Sequence, residues 1–168
     1  MGEPHDELGT CCRPAPRAYG TVDEAQSALG LARAEAVRGG ELDDLLVRIE
    51  RDLYVCGAEL ATLRENRSKL TPGATLVTDE MVASLEPIID DLKDRFPMPS
   101  DFVIPGGTRV GAALDFARTI VRRAERESLA VAADDSSVVA YLNRLSDLLW
   151  AMARWQEHET DTLLAKEI

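Results

Sequence analysis

"ELDDLLVRIERDLYVCGAELATL" occupies Glu41–Leu63. Apolar side chains recur at Leu42, Leu45, Ile49, Leu53, Cys56, Leu60 and Leu63, in steps of three or four. That interval returns once per α-helical turn, so these side chains form one stripe along a long helix. A half-buried strand would need alternation with a period of two, and no such pattern stands out in the chain. The stretch sets the fold class: all-α, built from helices that each bury one side.

Neighbouring segments extend the pattern. On the N-terminal side, Thr21 to about Arg38 reads as a helix, with Thr21 as N-cap and Glu24 as its capping-box partner. Gly39 and Gly40 supply its stop. On the C-terminal side, "TPGAT" (Thr71–Thr75) is a turn. A third helix follows, about Asp79–Arg95, carrying Val82, Leu85, Ile88, Ile89 and Leu92, with a kink at Pro87. The three prolines of "FPMPSDFVIPGG" (Phe96–Gly107) forbid regular structure there. The fourth helix, about Thr108–Ser128, has Val110, Ala113, Ala117, Ile120 and Ala124 on its inner stripe. The fifth, Ser137 to about Leu164, carries Leu142, Leu145, Leu149 and Met152. The expected architecture is a five-helix bundle over residues 19–168, after an irregular segment 1–18 with three prolines and two glycines.

A length of 168 residues suffices for one domain with a real core. The net charge of −11 argues against general nucleic-acid binding and against docking on anionic membranes. No apolar run reaches the ~20 residues of a membrane span, and the N-terminus has no basic stretch followed by an apolar one. Cys11, Cys12 and Cys56 make a poor disulfide framework and show no metal spacing; His5 and His158 are the only imidazoles. No resident metal site is expected, and the location expected is the cytoplasm.

Against that acidity, Arg118, Arg122, Arg123 and Arg126 fall within nine residues of the fourth helix. Arg118, Arg122 and Arg126 share a face, with Arg123 beside it. Two readings stay open. The row is a solvated face paired with Glu125 and Glu127 and complementing the helix dipole, or it is a seat for a polyanion, because guanidinium forks grip phosphate oxygens. Asn143, in "YLNRLSD" (Tyr141–Asp147), sits one residue off an apolar stripe, where its amide either satisfies a neighbour or meets a nucleotide. Phe102, Val103 and Ile104 are apolar residues in a Pro- and Gly-rich connector, either capping the core or walling a pocket.

In order, "AYGTVDEAQSALGLA" (Ala18–Ala32), "IERDLYVCGAELAT" (Ile49–Thr62), "FVIPGG", "ARTIVRRAER" and "YLNRLSD" resemble the PduO-type ATP:cob(I)alamin adenosyltransferases over roughly residues 17–156. The resemblance implies a helical bundle assembling as a homotrimer with sites between subunits. It implies transfer of the 5′-deoxyadenosyl group of ATP to cob(I)alamin, with Mg²⁺ accompanying the nucleotide. Carried over by motif, Arg118, Arg122, Arg123, Glu125, Arg126 and Asn143 line the ATP site. Asp23 pairs with Arg118 across the interface, and Phe102 presses on the lower face of the corrin ring.

The chain departs from the family in two places. Where the family has a glycine–aspartate phosphate loop and then a lysine, this sequence reads "MGEPHDELGTCCRPAPRAYG". "HDELGT" is a faint echo of the loop, Lys69 is the first lysine, and Arg13 and Arg17 are the cations on hand. Either the chain starts too late, or it is a divergent member with weakened ATP binding. The second case carries an alternative function: holding or delivering cobalamin without adenosylating it. Trp150 and Trp155 also replace smaller residues, which would reshape the bundle end.

Overall fold

The computed structural model describes residues 13–160 and 164–165. It holds six α-helices: α1 Pro14–Ala34, α2 Glu41–Ala61, α3 Asp79–Ala83, α4 Glu86–Arg95, α5 Arg109–Ser128 and α6 Val138–Glu157. A 3₁₀ segment, Arg64–Lys69, follows α2. No strand occurs among the described residues, only two isolated bridges, Pro72 to Leu76 and Val103 to Leu164. None of the described helices is long and apolar enough to cross a membrane.

α1 packs against both α2 and α5, and α5 against α1 and α6, while α3 and α4 lie on α6. The face of α1 is mostly small: Ala18, Val22, Ala25, Ala28, Leu29 and Ala32 are buried. Alanines let neighbouring helices approach closely, and α5 answers with Ala117 and Ala124. α6 is the innermost element. Leu142, Leu145, Leu148, Leu149 and Met152 are all inaccessible, together with Tyr141. A helix apolar on more than one side must be covered on more than one side. The Tyr141 hydroxyl donates to Asp52 Oδ2 at 2.9 Å and so ties α6 to α2. Burial pushes the Asp52 carboxyl above its ordinary range.

Several expectations need correction. The third helix is two helices: the chain breaks at Ser84–Leu85, and Pro87 stands in the first turn of α4, where a missing N–H costs nothing. This makes six helices instead of five. α1 begins at Pro14 rather than Thr21, because Pro14 is set for a helix start. Residues 14–18, expected to be irregular, are therefore helical. Thr21 is no cap; its single hydroxyl proton is shared between Arg17 O, at 2.9 Å, and the Glu127 carboxylate. α1 also ends at Ala34, before the turn in which Gly39 takes φ 72°. On α2 the buried position is Leu46, with Leu45 only half-buried, and Leu63 lies past the helix end and is exposed. α6 stops at Glu157. Residues 1–12, which include His5, Cys11, Cys12 and "HDELGT", lie outside the described residues.

Candidate active site

α5 starts cleanly: Thr108 Oγ1 accepts from Gly111 N at 2.9 Å, so the loop before it is held against a capped helix end. That loop, the first turns of α5 and the last turns of α6 enclose a cavity of 410 Å³. Phe102, Val103 and Pro105 form one wall, Asp115 and Arg118 the second, Trp150 and Arg154 the third. Phe102 is 89% exposed, a large apolar side chain with nothing over it. Of the two readings of "DFVIPGG", the geometry carries the pocket wall.

Beneath the cavity lies a buried ion cluster. Arg154 Nη2 is 2.6 Å from Asp115 Oδ2 and 2.8 Å from Glu157 Oε2. Asp115 Oδ1 accepts from Arg118 Nε at 3.3 Å. Arg118 is thereby fixed at the cavity wall, while its two terminal nitrogens donate to no described residue. The sequence reading missed Asp115, Arg154 and Glu157. Their signal was the spacing of three between Asp115 and Arg118 and between Arg154 and Glu157, which puts each pair on one helix face.

The remaining arginines run toward the C-terminus of α5, about 12 Å from Arg118 to Arg126 at helical rise. Arg122 is exposed and has no ion pair among the described residues. Arg126 is exposed, and its Nη1 donates to Arg122 O at 2.8 Å. Arg123 differs: its Nη2 lies 2.5 Å from Glu24 Oε2, bracing α1, while its Nε is buried without a partner. A second cavity, of 450 Å³, opens between the start of α1 and the end of α5, lined by Arg17, Arg123, Arg126 and Glu127. The row thus spans two openings on one side of the bundle. Asn143 Nδ2 donates to Glu125 Oε1 at 2.8 Å, so these two side chains meet between α6 and α5 and leave the amide oxygen open. Asp23 is exposed on α1 and forms no ion pair within the described residues; it does not meet Arg118 in a single chain. No cluster of three or more His, Cys, Asp or Glu side chains able to hold a metal occurs among the described residues.

This arrangement can grip an extended anion along α5 and cover an apolar disc at Phe102.

Known proteins share the sequence pattern and the fold. The family model for cobalamin adenosyltransferase matches residues 12–156. A corrinoid adenosyltransferase of Bacillus subtilis is 39% identical over 142 residues, covering 81% of this chain and 70% of that protein. The corrinoid adenosyltransferase PduO of Citrobacter freundii is 36% identical over 149 residues; the match takes in 87% of this chain but only 43% of that longer relative. Among solved structures, a Phe-to-His variant of a PduO-type ATP:corrinoid adenosyltransferase from Lactobacillus reuteri, complexed with cobalamin and ATP, superposes with a TM-score of 0.82 at 30% identity. That superposition covers 93% of this chain and 86% of the other.

Proposed function

The chain belongs to the cobalamin adenosyltransferase family, and from that premise we propose that it transfers the 5′-deoxyadenosyl group of ATP to cob(I)alamin and releases triphosphate. The observation that carries this reading is the cavity shared by the uncovered ring of Phe102 and the guanidinium of Arg118.

Both reactants are substrates, and the chemistry asks little of the protein in the way of reacting groups. An electron pair on cobalt attacks the ribose C5′, the cobalt–carbon bond forms, the C5′–oxygen bond breaks, and triphosphate leaves with the bonding pair. The corrinoid is the nucleophile, so no serine, cysteine or general base is required. What remains is alignment, worth up to about 7–11 kcal/mol in favourable systems, and stabilisation of charge gathering on the leaving group.

The roles are those that the resemblance implies, supported by placement. Phe102 covers the lower corrin face and keeps an axial base off the cobalt. Arg122 and Arg126, exposed and without an ion pair among the described residues, take the phosphate tail together with Arg118. Arg123 joins them on release from Glu24. Asn143 offers its free amide oxygen to the nucleotide while Glu125 holds its nitrogen. Mg²⁺ arrives on the triphosphate, the usual arrangement for an ion that keeps its waters and takes few protein ligands. Asp23 of one subunit reaches Arg118 of another in a homotrimer, completing the site. With this reading goes a cytoplasmic location, where ATP is supplied.

Incubation with ATP, Mg²⁺ and chemically reduced cob(I)alamin tests the reading. The absorption spectrum of adenosylcobalamin is expected, with one triphosphate released per turnover. No spectrum above the protein-free background would overturn it. Calorimetry showing cobalamin binding without ATP binding would favour the delivery role instead.

A further inference from the structure

We propose that Asp115, Arg154 and Glu157 form a positioning device that ties the Phe102 loop to Arg118, so that one buried ion cluster sets both the corrinoid side and the nucleotide side of the site. The proposal rests on the adenosyltransferase reading for what the two sides bind, but not for the existence of the tie.

The connection can be followed atom by atom. Gly107 N donates to Glu157 Oε1 at 3.0 Å, at the α5 end of the Phe102 loop. Glu157 Oε2 meets Arg154 Nη2 at 2.8 Å. The same nitrogen reaches Asp115 Oδ2 at 2.6 Å, and Asp115 Oδ1 accepts from Arg118 Nε at 3.3 Å. Each carboxylate therefore uses one oxygen on Arg154 and the other outward, one to the loop and one to the arginine row. Asp115, Glu157 and Arg154 sum to one negative charge, which Arg118 cancels. Arg118 is thus the fourth member of the cluster and is held at the cavity wall by it.

Two further observations favour positioning over mere packing. Apolar side chains of similar volume generally fill such space without loss of stability, so a buried ion cluster is a poor device for stability alone. The backbone is also shaped around the Glu157 carboxylate. A Cβ at Gly111 would stand 2.6 Å from Glu157 Oε1, and one at Gly107 would stand 3.1 Å from the same oxygen. Asp115 and Arg154, although buried, still line the cavity floor. At its other end the loop is tied separately, by Ala165 N to Phe102 O at 2.9 Å, so only the Gly107 end depends on the cluster.

Arg154→Met, Glu157→Gln and Asp115→Asn in the full chain test the tie in two ways. Amide hydrogen exchange of the unliganded protein needs no turnover. The Gly107 amide should exchange about tenfold faster in Arg154→Met and Glu157→Gln, with α2 unchanged. Unchanged exchange at Gly107 in both variants overturns the proposal. Kinetics then separate the two sides. Glu157→Gln should raise the cobalamin KM about tenfold and leave that of ATP alone, Asp115→Asn the reverse, and Arg154→Met should raise both. A uniform fall in active protein with every KM unchanged overturns it as well. If Arg154→Met does not fold, Arg154→Lys and the two near-isosteric carboxylate variants carry the comparison. Should the wild-type protein make no adenosylcobalamin, the functional reading fails, and the exchange measurement still decides whether the tie exists.

Discussion

Gly111 has room for a hydrogen and nothing larger, since a Cβ there would meet Glu157 Cγ at 2.7 Å. The Gly111→Ala variant should lose about 1–3 kcal/mol of stability by urea denaturation, the usual range for overpacking. Made in a Glu157→Ala background, the same Gly111→Ala change should cost less than it does in the wild type; an equal cost would show that the clash lies elsewhere. The arginines give the opposite contrast. Arg122 is exposed and has no ion pair among the described residues, so Arg122→Ala should shift stability by no more than about 0.5 kcal/mol. Turnover should nevertheless fall about 10²–10³-fold if the guanidinium answers charge on the leaving triphosphate. An Arg122→Ala protein with wild-type turnover removes Arg122 from the site. The arginine row was visible in the sequence because four guanidiniums in nine residues stand out in an acidic chain. Asp115, Arg154 and Glu157 were not, because a single charged residue inside a helix usually faces water, and only packing shows that these three face one another.

Among the elements, the long helices were the legible part: α2 and α5 follow a 3.6-residue period because each buries one side, and α6 is apolar over a still wider arc. Boundaries were less so, since they depend on local competition. Pro14 starts α1 before Thr21 can cap it, and Pro87 fits equally well as a kink or as a helix start. The connectors were illegible, because what fixes them is one side chain distant in sequence. The buried Glu59 carboxylate of α2 accepts from Val77 N at 2.7 Å, Arg67 Nη1 at 2.7 Å and Ser136 Oγ at 2.6 Å. Glu59→Ala orphans all three donors and should cost about 3 kcal/mol by chemical denaturation. A loss below about 0.5 kcal/mol would mean that water replaces the carboxylate. The start of α2 gives a pH prediction. Gly39 N donates to Asp43 Oδ2 at 2.9 Å and Arg33 Nε to Asp43 Oδ1 at 2.8 Å; together they hold the Asp43 carboxyl below the ordinary aspartate range. A folded value below the unfolded one gives stability that is present above the unfolded value and lost as pH falls through the folded one. Asp43→Asn should therefore be less stable than wild type at pH 7, and the gap should narrow below about pH 4. A gap that stays constant across that range would show that the carboxylate charge contributes nothing.

At the scale of the whole molecule, the question is whether one chain holds a complete site. Among the described residues the Arg118 terminal nitrogens have no acceptor and exposed Asp23 has no cation, and Tyr19 and Phe116 are exposed on the same two helices, α1 and α5. A second subunit placing its Asp23 at Arg118 would satisfy both groups at once. The net charge of −11 opposes such an assembly, because like-charged chains repel. Salt screens that repulsion over about 10 Å at 0.1 M, but weakens a partly buried ion pair much less. Light scattering at micromolar concentration should therefore give three times the 18.4 kDa chain mass, with dissociation favoured at low ionic strength. Asp23→Arg sets two cations face to face and should lower the mass and abolish turnover together. Adding Arg118→Asp reverses both charges and should restore the assembly. It should not restore full activity, because the phosphate tail then meets a carboxylate. A wild-type protein that runs as a monomer under these conditions, or an Asp23→Arg protein that keeps the full wild-type mass, removes the Asp23–Arg118 contact from the account.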